Sequence, residues 1–191
     1  MGEIGVLALQ GDWAAHSEVL RELGASVQTV RTADELAKVK ALVIPGGESS
    51  AMLRLMEPED LSRRIVDRIR TGMAVLATCA GVILLAQAVV PAQPCLGVLA
   101  VDVQRNAYGR QLNSTIAEVA LVSELGDPPL MEAVFIRAPR ITRRDAAVEV
   151  LGQWRDDAVL VRQGRILAAT FHPEITDDRR VHELFLQTEE A

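Results

Sequence analysis

Two segments far apart in the chain carry residue types that together could perform nucleophilic acyl chemistry. Cys79 ends the apolar run Ala74-Val75-Leu76-Ala77-Thr78, and small residues, Ala80 and Gly81, follow it. A thiol at a sharp strand-to-helix turn projects outward, and the free N–H groups of the next helix favour a thiolate and can hold an oxyanion. In the second segment, Thr170-Phe171-His172-Pro173-Glu174, the proline biases His172 to an extended conformation. Residues two apart in extended chain point the same way, so Glu174 can lie beside the imidazole and fix its tautomer. A third segment, Pro45-Gly46-Gly47-Glu48-Ser49-Ser50, has paired glycines that let backbone approach a ligand. It has neither the Gly-Lys-Ser/Thr of a Walker loop nor the spacing of a dinucleotide fingerprint. Each segment alone has a plain alternative. Cys79 could be a buried cysteine of a core strand, His172-Pro173-Glu174 a turn with a solvated acid, and the glycine pair a turn with Ser49 or Ser50 capping a helix.

The elements that would position these residues follow from the apolar pattern. Aliphatic runs at 4–9, 26–30, 41–44 and 74–78 predict strands. Helical periodicity at about 14–23, 49–56, 61–70 and 80–87, with a short helix after Val30, predicts the connections. Continuous aliphatic strands separated by helices indicate a parallel sheet covered on both faces. In the second half, shorter strand-like runs at 96–103, 115–122, 134–136, 148–154, 158–162 and 166–171 are joined by turn-rich links, which predicts antiparallel pairing before a last helix at about 177–187. The expectation is an α/β fold: one three-layer domain over residues 1–191, a mostly parallel central sheet flanked by helices (flavodoxin-like), with antiparallel strands late in the chain. Ligands of open parallel sheets bind beyond the carboxyl ends of the strands. That rule brings Gln10-Gly11-Asp12, Pro45 to Ser49, Thr78-Cys79-Ala80 and His172-Pro173-Glu174 to one edge.

Composition narrows the function classes. The chain has 191 residues, 49% of them apolar, a net charge of −6 and 3% aromatics. With no basic run, nucleic acid is a poor partner. With no leader-like or membrane-length apolar stretch, the reading is a cytoplasmic protein that binds no membrane and keeps its two thiols, Cys79 and Cys95, free. Two cysteines and three histidines (His16, His172, His182) show no zinc-site spacing, so neither metal nor cofactor is expected. Cys95 reads as a bystander thiol and His182 as a surface or helix-packing residue. The stretch containing Trp13 and His16 reads as an amphipathic helix, with docking to a partner as the alternative.

Beyond these local arguments, several longer segments match a known pattern. They are Gly5-Val6-Leu7-Ala8-Leu9-Gln10-Gly11-Asp12, Pro45-Gly46-Gly47-Glu48-Ser49, Thr78-Cys79-Ala80-Gly81, Arg105-Asn106-Ala107-Tyr108-Gly109-Arg110-Gln111, Phe135-Ile136-Arg137-Ala138-Pro139 and Thr170-Phe171-His172-Pro173-Glu174. On these the chain resembles class I, triad-type glutamine amidotransferases, and within them the glutaminase subunits of pyridoxal 5′-phosphate synthases. The resemblance implies Cys79 as nucleophile, His172 as general base and acid, and Glu174 as its orienting partner. It implies Gly47 and Ala80 as oxyanion-hole donors, and Gln10, Gly46, Gly47, Glu48, Arg105, Ile136 and Arg137 around L-glutamine. A synthase subunit is the implied partner, with several glutaminases docked around a synthase core. Ala77 stands where such proteins usually have glycine, Ser50-Ala51 where they have threonines, and Thr115 where an aromatic is common; none of these removes a reacting group. The alternatives are the glutaminase of another biosynthetic synthase, a non-catalytic regulatory module of the same fold, and a cysteine peptidase of related fold.

Overall fold

The computed structural model describes residues 3–107, 114–122, 125 and 128–190. Tyr108, Gly109, Arg110 and Gln111 lie outside the described residues. Five short aliphatic strands, β1 (Ile4–Leu7), β2 (Val27–Val30), β3 (Ala41–Ile44), β4 (Ala74–Thr78) and β12 (Ile166–Ala169), form the parallel part of a nine-stranded sheet. In that sheet β1 pairs with β2 and β3, β3 with β4, and β4 with β12, all parallel. The remaining strands, β7 (Ser114–Leu121), β8 (Leu130–Ile136), β10 (Glu149–Trp154) and β11 (Asp157–Gln163), continue it antiparallel in the order β12-β11-β10-β7-β8. A separate small sheet joins β5 (Ala88–Val90), β6 (Val101–Gln104) and β9 (Arg140–Arg144).

Helices cover both faces, and strand alternation sorts the core accordingly. Leu7, Leu42, Ile44, Val75 and Ala77 face one layer, formed by α2 (Ala33–Lys38), α3 (Ser49–Met56), α4 (Leu61–Arg70) and α5 (Ala80–Leu85). Ile4, Val6, Val43, Ala74 and Leu76 face the other, where α1 (Trp13–Glu22) and α6 (Arg180–Glu190) lie with the inner face of the antiparallel strands. Local signals set the helix starts. The Asp12 side chain accepts from Ala15 N at the head of α1, and Thr32 and Glu35 form a capping box on α2.

Three sequence expectations shift. The helix expected to run to 87 stops at Leu85, because Ala86 is extended and Gln87 N donates to Val101 O. The strand expected at 96–103 forms only from Val101; Leu96, Gly97, Val98 and Leu99 donate instead to carbonyls at the end of α5. The last helix begins at Arg180 rather than 177, where Asp178 accepts from Arg180 N.

The antiparallel half brings its outer strand back to the parallel edge. Phe135 on β8 stacks on Trp154 of β10 with ring centroids 4.7 Å apart and also meets Phe171 at 5.6 Å. That aromatic cluster is apolar area removed from water, and it anchors the end of β8 beside the segment following β12. His172 N then donates to Val134 O at 2.9 Å.

Candidate active site

β1, β3, β4 and β12 run side by side in parallel, so their carboxyl ends open on one edge. Leaving them are Gln10-Gly11-Asp12, Pro45 to Ser49, Cys79 and His172 to Glu174. Cys79 has φ 46 and ψ −103, a left-handed conformation that a non-glycine residue adopts at a cost. Its N–H donates to Ala169 O at 2.8 Å, which ties the elbow to β12. Ala80 opens α5, where backbone N–H groups lack intrahelical acceptors. A Cβ at Gly81 would strike the Ile44 carbonyl, which is why this position in the turn must stay bare.

On one side His172 lies with Cys79 against Gly46, close enough for the thiol to act on the charge of the ring. On the other, its Nδ1 lies 2.7 Å from Glu174 Oε1. The intervening Pro173 starts a single helical turn over Pro173–Ile175, which turns Glu174 inward to be buried. Burial works against a charged imidazole, but the hydrogen bonds and charges of Cys79 and Glu174 outweigh it and raise His172 to about 10. Glu174 moves the other way: burial pushes its carboxyl up, while His16 and His172 beside it bring it below the ordinary carboxylate range. A pH titration of the His172 ring resonances is therefore expected to find the imidazolium persisting well above its ordinary range, and to find that range lowered in Cys79→Ala. An identical titration in the variant would show that the thiol contributes nothing to it.

Around this trio the sequence-predicted residues fall as follows. Gly46 is buried against the reacting pair, and a Cβ there would meet His172 Cε1 and lie 3.2 Å from Cys79 Cβ. Gly47 is exposed, with φ 153. Gln10, expected to line the glutamine site, uses its side-chain oxygen to accept from Glu48 N, and so fixes the Gly47-Glu48 turn. Glu48 caps α3, its carboxylate accepting from Ser50 N at 3.3 Å and Ala51 N at 2.9 Å. Burial raises its carboxyl, but these N–H groups and the Arg105 charge outweigh that and lower it. Arg105 Nη2 reaches Glu48 Oε1 at 3.0 Å, and its Nη1 reaches Gln93 Oε1 at 2.6 Å. The Ile136 carbonyl lies 3.8 Å from Cys79 Sγ. Arg137 is exposed in a left-handed conformation (φ 44), just past β8.

Sequence reasoning missed three participants. Gln93 bridges Arg105 and Ser49. His16, read as part of an amphipathic helix, and His182, read as a surface or helix-packing residue, are fully buried and meet between α1 and α6. The signal was present: His16 falls on the buried stripe with Val19 and Leu20, and His182 on the one with Phe185 and Leu186. A histidine at i, i+3, i+4 spacing with core residues faces the core. Cys95 lies apart, its Sγ 3.4 Å from Gln87 O, and burial raises its thiol pKa.

Among the described residues no group of three or more His, Cys, Asp or Glu is arranged to hold a metal ion, and no helix is long and apolar enough to cross a membrane.

Comparison with known proteins gives a consistent set of relatives. The SNO glutamine amidotransferase family matches residues 6–191. A protein of Solibacter usitatus (strain Ellin6076) named pyridoxal 5′-phosphate synthase subunit PdxT is 48% identical over 190 residues, covering 97% of this chain and 98% of that protein. The protein of the same name from Koribacter versatilis (strain Ellin345) is 51% identical over 190 residues, covering 97% and 94%. A crystal structure described as a glutamine amidotransferase superposes with a TM-score of 0.91 at 43% identity, covering 98% and 99% of the two chains. A structure described as PurLQS from Thermotoga maritima has a TM-score of 0.72 at 14% identity, covering 98% and 99%, and shares the fold alone.

Proposed function

The chain belongs to the SNO glutamine amidotransferase family, and from that membership we propose how its residues act. It is the glutaminase subunit of a pyridoxal 5′-phosphate synthase, releasing ammonia from glutamine for a synthase partner. The reading has the chain working as one domain over residues 1–191, in the cytoplasm, where its thiols stay reduced. Several glutaminases would dock around a synthase core.

In the proposed reaction the imidazolium of His172 holds the proton of the Cys79–His172 pair, and the Cys79 thiolate attacks the side-chain carboxamide carbon of L-glutamine. Backbone N–H groups of Gly47 and Ala80 receive the developing oxyanion, each contributing about 3 kcal/mol to the transition state. His172 protonates the departing ammonia, leaving a γ-glutamyl thioester on Cys79. Water that has lost a proton to the same imidazole then releases glutamate. Glu174 keeps the ring in the Nδ1–H tautomer and balances its positive charge. Glu48 and Arg105, with Gln10, Gly46, Ile136 and Arg137 around them, hold the amino-acid end of glutamine by charge-assisted bonds. The observation that carries the reading is the placing of Cys79 and His172 together against Gly46, with Glu174 Oε1 2.7 Å behind the ring, at an edge where four parallel strands end.

Ammonia freed into bulk water is protonated and lost to the acceptor reaction, so hydrolysis of this kind pairs with a second enzyme. Docking is taken to settle the Gly46-Gly47 peptide as an oxyanion-hole donor, so glutamate release is expected to rise roughly tenfold or more when the purified chain is mixed with its synthase. Turnover indifferent to the synthase would contradict the partnership. Glutamine binding without turnover, even in the complex, would instead favour a regulatory module.

A further inference from the structure

Behind the proposed triad lies a buried polar cluster for which the reaction above has no use. Glu174 engages His172 through Oε1 alone. Its other oxygen, Oε2, is buried and makes no well-aligned hydrogen bond, yet His16 Nε2 lies 3.3 Å from it. That same nitrogen is 3.1 Å from Thr78 Oγ1, and His16 Nδ1 is 3.0 Å from His182 Nε2. The meeting follows from the fold. Ala74 and Leu76 face the α1–α6 layer, so Thr78, two residues further along β4, faces it too.

The proton positions can be worked out from the partners. A carboxylate oxygen only accepts, so the imidazole nitrogen beside it carries the hydrogen in a neutral ring. His16 is then the Nε2–H tautomer and its Nδ1 accepts, which requires His182 to donate from Nε2. His182 Nδ1 is left with a bare lone pair, and it is indeed buried with no partner. An unfilled acceptor is more readily tolerated than an orphaned N–H. Burial keeps both rings neutral: it pulls His16 below its ordinary value despite Glu174, and pulls His182 down to about 3. The charged and titratable groups facing the pair are Glu174 and His172 beyond β12, Asp12 at the head of α1, and Arg179 before α6.

We propose that His16, itself fixed by His182, is a positioning residue for the glutaminase reaction, its Nε2–H setting the rotation of the Glu174 carboxylate at which Oε1 faces His172. This rests on the triad reading. The relay then runs from Cys79 through His172 and Glu174 to His16 and His182, and its inner half lies wholly in the core, where side chains have little freedom to drift.

The test compares His16→Leu, His16→Gln and Cys79→Ala in the full complex with the synthase, following glutamate release as a function of pH. His16→Leu fills the space without a donor. It is expected to lower kcat about tenfold, below the ~100-fold cost of a 1 Å misplacement, with KM changed by less than about twofold. Its acid limb is expected to move to higher pH, because a carboxylate that loses a donor takes up a proton sooner. His16→Gln, whose amide N–H can reach Oε2, should recover most of both effects. Equal losses in the two variants, or an unshifted acid limb in His16→Leu, would overturn the proposal. An active Cys79→Ala would instead mean that the triad reading itself has failed. Should His16→Leu not fold, nitrogen-15 NMR of the wild-type complex decides alone: His16 protonated at Nε2 supports the proposal, and an unprotonated Nε2 refutes it.

Discussion

Cys79→Ala is expected to abolish glutamate release from the complex, with a loss of about 10⁴-fold or more, the scale seen when a covalent nucleophile is removed. No second thiol can take over. Cys95 sits outside the strand-end edge, hydrogen-bonded toward Gln87 O, and its pKa is raised by burial. Nor should the loss come from misfolding. Alanine keeps the Cβ at the same strained turn, and the tie from residue 79 N to Ala169 O is a backbone bond that the substitution leaves in place. The variant should still bind glutamine, since Glu48 and Arg105 are untouched. Calorimetric binding of glutamine with no glutamate formed is therefore the expected pair of results. Glutamate formation near the wild-type rate would dismiss the mechanism.

Gly46→Ala carries the second large effect, for a purely steric reason. A methyl group there would press on His172 Cε1 and crowd Cys79 Cβ at 3.2 Å, so the imidazole must leave the thiol. A displacement near 1 Å in a reacting pair costs about 100-fold, and kcat should fall at least that far. The natural control is Gly24→Ala. Gly24 has φ 83 with nothing within 4 Å of an added Cβ, and it lies in the turn after α1, away from the edge. That change should cost about 1–2 kcal/mol of stability through left-handed strain and leave glutaminase turnover unchanged. Thermal unfolding and glutamate assays on both variants separate the two effects. If Gly46→Ala kept full turnover, the close packing of the site would have no catalytic meaning.

The sheet edge was legible in the sequence because β1, β3, β4 and β12 each read as an uninterrupted aliphatic strand followed at once by a chemistry-bearing segment. Parallel packing does the rest. Helix starts at Ser49 and Leu61 were equally legible, being set by local periodicity and punctuation. What escaped depends on contacts between distant residues. Nothing within Phe135-Ile136-Arg137 says that β8 curls back on Trp154 and Phe171 to bring Ile136 O to the thiol. Nothing local to Leu96-Gly97-Val98-Leu99 says that its N–H groups serve the carbonyls ending α5 rather than a strand partner. Gln10, which the resemblance places at the glutamine site, also accepts from Glu48 N, a contact that no local signal announces. His16 was legible in principle, as a polar residue on an apolar helical stripe, but its partners come from α6 and from beyond β12.

Glu48 has a consequence beyond holding a substrate. Its carboxylate is shared among Ser50 N, Ala51 N and the Arg105 guanidinium, so of its roughly four lone-pair sites only one, on Oε2, stays open for a ligand. On the proposed reading, an incoming ammonium group would share these oxygens with the first turn of α3. Filling the site then draws on the same charge that holds that helix end. The Ser50 and Ala51 amides would report occupancy through their exchange with solvent, and a message about substrate would reach the helical layer without any lid or hinge.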